Sequence, residues 1–451
     1  MNIIKNMEIK RIIKENYLLN RVFVSDDMVK ALDNLAGYTK AEYKDYKFKS
    51  GQEHNGWIVP NKWEVKEAKI IKNGQVVYDG QVHPLGVIAN SSSFEGKISK
   101  GELIKHIYTA PERPGAIPFH FRQQYRPWIS DWGFCMPHEK LESLKDGEYE
   151  IVLKTVLESG EMVVREFTIP GQSDETLIFV GHIDHPGLTN DDLAGCAVGI
   201  ELLNQIVKKY PKPRHTYKLL LTQEICGSVF YLEALGELGR EKLKYSLFLE
   251  MLGNNNILNL QRSFLGDTLI DKACVLAMKE FYDEPQRSYS FRESVGNDEI
   301  VFEAPGIEIP MPSLSRFPYP EYHTSDENMD LIKEEKLQEA SRVLMKVVDV
   351  FEKNVLVKRK FSGLVSLSNP KYDLYIDPGQ IISTSKKEDK KKSLFQYKMP
   401  RYLDGNYSIL DISLEFNIEF SWLLDYFTKM KEKGLIDFIG HRLGKNRKKI
   451  N

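Results

Sequence analysis

Cysteine is scarce: the 451 residues contain four, Cys135, Cys196, Cys226 and Cys274, and no two share a CxxC spacing. That sparseness excludes a disulfide-built scaffold and leaves buried, reduced thiols as the simplest expectation. Long apolar runs are also missing, since none approaches the roughly 18 residues that a helix needs to cross a bilayer. The opening stretch MNIIKNMEIKRIIKEN places charges where a signal peptide needs its apolar segment. A cytoplasmic protein without a membrane partner is therefore expected. An excess of one charge is lacking too: 62 Lys+Arg stand against 64 Asp+Glu, a formal charge of −2. This balance excludes a generally basic nucleic-acid coat or an acidic tail protein. HExxH, GxSxG, Walker A and GxGxxG patterns are absent, so those zinc, serine, phosphate and dinucleotide chemistries lose their simplest support. No repeat at a fixed period is found.

What is present is ordinary globular composition, with 42% hydrophobic and 28% charged residues. It is enough to build a sizeable core, and the length suggests about three domains. Residues 1–50 are polar and helix-prone, with Met28, Leu32 and Leu35 at helical spacing. Residues 51–170 alternate in short runs such as VVYDGQV (76–82) and YEIVLKTVL (149–157), broken by Gly and Pro, and read as β-rich. From Thr176 onward, TLIFVG, YKLLLT and YSLFLE have the texture of strands buried on both faces. Helical patterns separate them: one over about 193–210 stops at Pro211, and another runs over about 331–353. This alternation predicts an α/β three-layer sandwich with a mostly parallel central sheet. Ligands in such sheets sit beyond the carboxyl ends of the strands.

Chemistry-bearing residues gather at those ends. The densest segment is GHIDHPGLTNDDLAGC (181–196), in which His182 supplies an imidazole and Asp184 can turn back to orient it. Asp191 and Asp192 precede a helix start, where either can ligate a cation or cap the helix. His185–Pro186 reads as a turn. Glu224 follows one buried strand, Glu250 ends another, and His323 lies in YHTSDEN (322–328). Carboxylates at the ends of buried strands are costly unless something positive meets them, and a divalent metal is the natural partner. Mixed imidazole and carboxylate donors suit zinc, and less often manganese or cobalt, as one ion with an open position or two ions bridged by Asp191.

The order of these segments, with HxD, NDDLAG, QEICGS (223–228), LEMLG (249–253) and YHTSDEN, resembles the zinc exopeptidase superfamily of bacterial leucyl aminopeptidases, glutamate carboxypeptidases and glutaminyl cyclases. The resemblance implies that His182 and Glu250 hold one zinc, that His323 holds a second, and that Asp191 bridges, with Asp184 orienting His182. It prefers Asp191 over Asp192 by the spacing to Gly195. The chain looks closest to an aminopeptidase-like branch with an inserted β domain and a C-terminal winged helix, a branch linked to surface-polysaccharide biosynthesis. Supporting segments are GWIVPNKWEV (56–65), HPLGVIANSSSFEGKIS (83–99), YRPWISDWGFC (125–135), GNDEIVFEAPG (296–306) and LDGNYSILDIS (403–413). The implied layout is 1–50 as the helical start of the peptidase-like domain, 51–170 as the insert, 171–358 as the peptidase-like domain, and 359–451 as linker and winged helix. One departure stands out. Where the superfamily has a Glu–Glu pair, this chain has Gln223–Glu224, so only one of general base and second-metal ligand can be filled. Asp298 and Glu299 are expected to line the site as supporting residues. Trp132 and Phe134 are expected either to wall the pocket or to form a core aromatic cluster.

The expected activity is metal-dependent hydrolysis of an amide in a small peptide or amino compound, with Glu224 shuttling the proton and Asp184 supporting it. The rival is a catalytically weak metal-containing protein that binds an amino-sugar or peptidyl ligand. KKEDKKK (386–392) reads as a solvated loop. Residues 408–436 show two helical patterns broken at Phe416–Asn417, a helix-turn-helix with a candidate wing in 437–444. The second helix mixes Glu419, Asp425 and Glu432 with Lys429, Lys431 and Lys433, and only the tail HRLGKNRKK (441–449) is basic. Docking to a protein partner or to a second copy is therefore favoured over nucleic-acid binding.

Overall fold

The computed structural model describes residues 8–279, 281–282, 287–376, 387–440 and 443. The chain opens with α1 (Ile9–Asn16), α2 (Asp26–Ala36) and β1 (Glu42–Lys49). Ser25 caps α2 by accepting from the Met28 amide, and Asp26 and Asp27 add favourable charge in its first turn. The β-rich stretch follows, as β2 (Glu53–His54), β3 (Trp57–Ile58), β4 (Lys62–Lys72), β5 (Gln75–Asp79), β6 (Phe94–Ser99), β7 (Ile107–Tyr108), β8 (Phe134–Cys135), β9 (Glu148–Glu158) and β10 (Glu161–Ile169). Two short helices interrupt it, α3 (Lys100–Leu103) and α4 (His138–Glu142). Next come β11 (Thr176–His182), α5 (Leu193–Lys209), β12 (Thr216–Thr222), α6 (Cys226–Lys242), β13 (Leu243–Glu250) and β14 (Asn259–Gln261). They are followed by α7 (Leu269–Lys279), β15 (Ser288–Tyr289), α8 (Glu299–Phe302), β16 (Ser313–Ser315) and α9 (Glu334–Lys353).

The chain divides into two compact units, residues 1–266 with 286–345 and residues 267–285 with 346–451. In the first, eight strands form a mixed sheet in the order β1-β10-β12-β11-β13-β16-β14-β15. The central neighbours β12-β11-β13-β16 are parallel, whereas β1, β10 and β14 add antiparallel pairings. Every residue of β11 is buried, and β12 and β13 are buried at all but one position each. Such strands need cover on both faces, which explains their unbroken apolar runs. The start of α5 lies hard against β13: a Cβ on Gly195 would overlap the Leu249 carbonyl oxygen and the Asp192 carboxylate. Only glycine permits that approach.

A second, antiparallel sheet, β5-β4-β9-β6, has its own core of Trp63, Ile70, Phe134, Ile151 and Leu153. The β-rich stretch 51–170 does not stay in one sheet, because its last strand, β10, pairs with β1 and β12 in the main sheet. The second unit contains a three-stranded antiparallel sheet of β17 (Leu356–Arg359), β18 (Asp404–Ser408) and β19 (Ile436–Ile439), in the order β18-β17-β19. Its helices over Ile409–Phe416 and Phe420–Glu432 meet at Asn417, which takes the left-handed conformation that ends the first of them. One expectation fails here. Lys387–Lys398, which includes most of the KKEDKKK run expected to be a loop, is a helix. Lys and Glu are good helix formers, so a charged run alone does not exclude helix. The basic tail 441–449 and most of the candidate wing beyond Gly440 lie outside the described residues, Leu443 apart.

Candidate metal centre

The carboxyl ends of the parallel strands deliver the site. His182 is the last residue of β11, Glu250 the last of β13, and Glu224 follows β12 by two positions. The loop after β11 carries Asp184, His185 and Asp191, and the loop before α9 brings in His323. Asp191 stands between the two expected histidines: its Oδ1 lies 3.0 Å from His182 Nε2, and its Oδ2 lies 3.0 Å from His323 Nε2. Asp192 faces elsewhere and accepts the Met251 amide at 2.9 Å. The Asp191–Asp192 peptide is cis.

Asp184 sits behind the imidazoles. Its Oδ1 lies 3.4 Å from His182 Nδ1, and its Oδ2 hydrogen-bonds His185 Nδ1 at 3.0 Å. It also accepts the Glu224 amide at 2.9 Å, so one carboxylate orients two rings and the Glu224 backbone. His185, expected only as part of a turn, belongs to the site. Its Nε2 is 3.8 Å from both Asp191 Oδ2 and Glu224 Oε2. Among the described residues, His182–His185–Asp191 and Asp184–His185–Glu224 each bring ligand atoms within 4.8 Å of one another. Gln223 turns away, donating to the Val163 carbonyl of β10 at 3.0 Å. Glu224 alone faces the site, where the Tyr125 hydroxyl donates to its Oε2.

The supporting residues divide in two. Glu250 is fully buried and its Oε1 accepts from Asn297 Nδ2. Glu299 accepts from Arg292 Nη1 at 3.0 Å and from the Asn297 amide at 2.8 Å. Asp298 accepts the Ile225 amide at 3.2 Å, next to Glu224. Trp132 and Phe134, by contrast, do not wall the pocket. Trp132 stacks between Phe94 and His106, with centroids at 4.1 and 3.9 Å, and Phe134 packs on Tyr78 in the core of the second sheet. Their apolar surface is satisfied there, which corrects the pocket-wall expectation. The aromatic wall comes from the loop just before them and from the His323 loop. Phe119 lies 4.7 Å from His185, Phe121 lies 5.3 Å from His323, and Tyr322 stacks on His323 at 3.8 Å.

Two further residues hold the centre together. Arg21, wholly buried, donates to the carbonyls of Ile183 and Asp184 through Nη1 and to those of His185 and Leu188 through Nη2. One guanidinium thus staples the whole HIDHPGL turn. Burial pushes its pKa down to about 10, while Asp184, Glu327 and Asp191 hold it charged. Glu327 accepts the amides of Asn190 and Asp191, at 2.9 and 2.5 Å, and the Tyr319 hydroxyl at 2.9 Å. Arg21 carries no local motif, and Glu327 lies in YHTSDEN with no spacing that points to its role.

Burial opposes charge throughout, and geometry decides which groups resist it. His185, His182 and His323 hold the Asp191 carboxyl well below its ordinary value despite burial. Adjacent Asp192 is pushed well above its ordinary value by burial. Glu250 is also pushed well above, by burial and then by Glu299 and Asp191. Asp298 is pushed up to about 7, chiefly by burial. His182 Nδ1, Asp191 Oδ1 and Glu250 Oε2 are buried without a hydrogen-bond partner. His182 Nδ1 faces Asp184, but the buried Asp191 Oδ1, beside the His182 ring and within the His182–His185–Asp191 group, is an acceptor of the kind a bound divalent cation satisfies, so that group fits one.

A family model described as a domain of unknown function, DUF4910, matches residues 10–354. The chain belongs to the DUF4910 family. A relative from Clostridium acetobutylicum, named for polysaccharide biosynthesis with an aminopeptidase-like domain, is 27% identical over 350 residues, covering 77% of the DUF4910 chain and 78% of the relative. A crystal structure from the same organism, described as a peptidase, superposes with a TM-score of 0.80 at 23% identity over 96% of both chains. The zinc aminopeptidase BSAP from Bacillus subtilis superposes with a TM-score of 0.57 at 13% identity, covering 76% of the DUF4910 chain and 94% of BSAP. The DUF4910 chain therefore has the aminopeptidase-like α/β fold.

Proposed function

We propose that this protein is a metal-dependent, aminopeptidase-like hydrolase acting on an amide next to a free amino group, in a small peptide or amino compound. The observation that carries the reading is Asp191 set between His182 and His323, one carboxylate oxygen to each ring. His182, Asp191, His323 and Glu250 are the proposed holders of the ion, with His185 as an additional donor and zinc as the preferred metal. When bound, the ion supplies Lewis-acid polarisation of the scissile carbonyl and a water of lowered pKa. In this reading Glu224 takes a proton from the attacking water and returns it to the leaving amine, and the Tyr125 hydroxyl, which donates to Oε2, holds its carboxylate. Asp184 keeps both His182 and His185 turned toward Asp191. Phe119, Phe121 and Tyr322 exclude water from the histidine faces.

A second reading keeps the metal and drops the turnover. It is favoured by Gln223, which faces the β10 backbone and leaves Glu224 without an acidic neighbour from that pair. Aminoacyl p-nitroanilides separate the two. Under the hydrolase reading, Glu224→Gln lowers turnover by about 10²–10⁴ with metal content unchanged. If metal is lost instead, Glu224 is a ligand. No turnover of any aminoacyl amide by the metal-loaded wild type supports the binding reading. For the 408–436 helix pair we propose a winged-helix module that docks a protein partner or a second copy.

A further inference from the structure

A groove of about 320 Å³ lies on the first unit beside the loop that carries the aromatic wall. Its lining is part apolar, with Trp128, Ile129 and Leu157, and part neutral polar, including Asn61, Asn90 and Ser92. Not one of its lining residues is ionisable, in a chain with 28% charged residues. A phosphate, a peptide terminus or a polycation would find no counter-charge there. The Trp128 indole is 63% exposed at the groove. An exposed indole face beside neutral amides and hydroxyls suits a ligand with one apolar C–H face and a rim of hydroxyls.

We propose that this groove binds a neutral pyranose ring of a glycan or N-acylated amino sugar, stacked on Trp128 with its hydroxyls bonded by the neutral amide and hydroxyl side chains of the lining. The site is distinct from the metal centre but shares a segment with it. Phe121 and Tyr125, two residues before and two after Gln123 of the lining, touch His323 and Glu224 respectively. No proposed metal holder lines the groove, so sugar binding stands or falls separately from hydrolysis.

The test uses the full chain after chelator treatment, titrated with maltotriose and with tri-N-acetylchitotriose. It is read by saturation-transfer NMR and by the fluorescence of the five tryptophans. At least one sugar is expected to bind with a dissociation constant of roughly 1 mM, weakened about tenfold or more by Trp128→Ala. Trp128→Phe, which keeps a ring, should retain part of the binding. The exposed indole can be removed without opening a core cavity, and circular dichroism verifies each variant's fold. Absence of saturation transfer from both sugars overturns the inference, as does equal binding by Trp128→Ala. A change in sedimentation on Trp128→Ala without any sugar binding also overturns it, by making the indole a protein contact.

Discussion

At the scale of single residues, the centre depends on side chains that touch no substrate. Arg21 is the clearest: its two terminal nitrogens serve four carbonyls of the turn that presents Asp184 and His185. Arg21→Met leaves the buried carbonyls without the guanidinium, only that of His185 keeping another donor in the Leu188 amide at 3.5 Å, and should destabilise the first unit by about 3–5 kcal/mol. Lysine carries the charge as a compact ammonium and lacks the planar fork, so Arg21→Lys should recover only part of the loss. Urea unfolding of the three proteins checks this, and a wild-type midpoint for Arg21→Met would contradict it. His182, Glu224 and Glu250 were legible as candidates in the sequence because each closes or directly follows an apolar strand run, where a carboxylate or imidazole has no structural excuse. His185 was not, because His-Pro is also an ordinary turn and only folding turns its Nε2 toward Asp191. Arg21 was illegible for a related reason: its partners lie 162 to 167 residues away and are backbone atoms, which leave no side-chain pattern. Trp132 and Phe134 show the limit from the other side, since an aromatic pair in a loop has the same spacing whether it walls a pocket or fills a core.

At the scale of elements, two helix starts carry the testable strain and charge. Gly195 lets α5 approach the Leu249 carbonyl, so Gly195→Ala should destabilise by about 1–3 kcal/mol or more, as overpacking does in a closed site. A fluorescence-monitored denaturation curve reads that shift, and an unchanged midpoint would contradict the close approach. In the second unit, Ser408 and Asp411 form a reciprocal capping box on Ile409–Phe416, and Lys272 Nζ lies 2.8 Å from Asp411 Oδ1. Burial opposes ionisation of Asp411, but the hydrogen bonds from Lys272 and Ser408 outweigh it and hold its carboxyl below the ordinary value. A lowered folded-state pKa contributes stability above the unfolded pKa and loses it as pH falls through the folded one. Asp411→Ala should therefore cost about 1 kcal/mol near neutrality. The difference from wild type should shrink below about pH 4, where the unfolded carboxyl protonates. Equal destabilisation at pH 7 and pH 3 would contradict the assignment. Periodicity located the long helices and buried strands well, because apolar spacing survives any environment. It misread Lys387–Lys398, where Lys and Glu report solvent exposure without distinguishing loop from helix.

At the scale of the whole molecule, the mixed sheet explains why residues from five separated segments converge. Parallel neighbours β12, β11 and β13 end on the same side, and the loops that follow them meet there. The mostly parallel sheet was legible from three apolar runs separated by helices. The pairing of β10 with β12 was not, because antiparallel addition at the sheet edge leaves no mark in local sequence. Among the described residues, no helix is long and apolar enough to cross a membrane. The central claim concerns Asp191 and the two histidines flanking it. It is tested most directly by the elemental metal content of the purified chain, alongside His182→Ala and His323→Ala. A divalent transition metal bound by the wild type and depleted in both variants is the predicted result. A wild type free of zinc, manganese and cobalt after reconstitution with each, or variants that retain the full wild-type content, would contradict it.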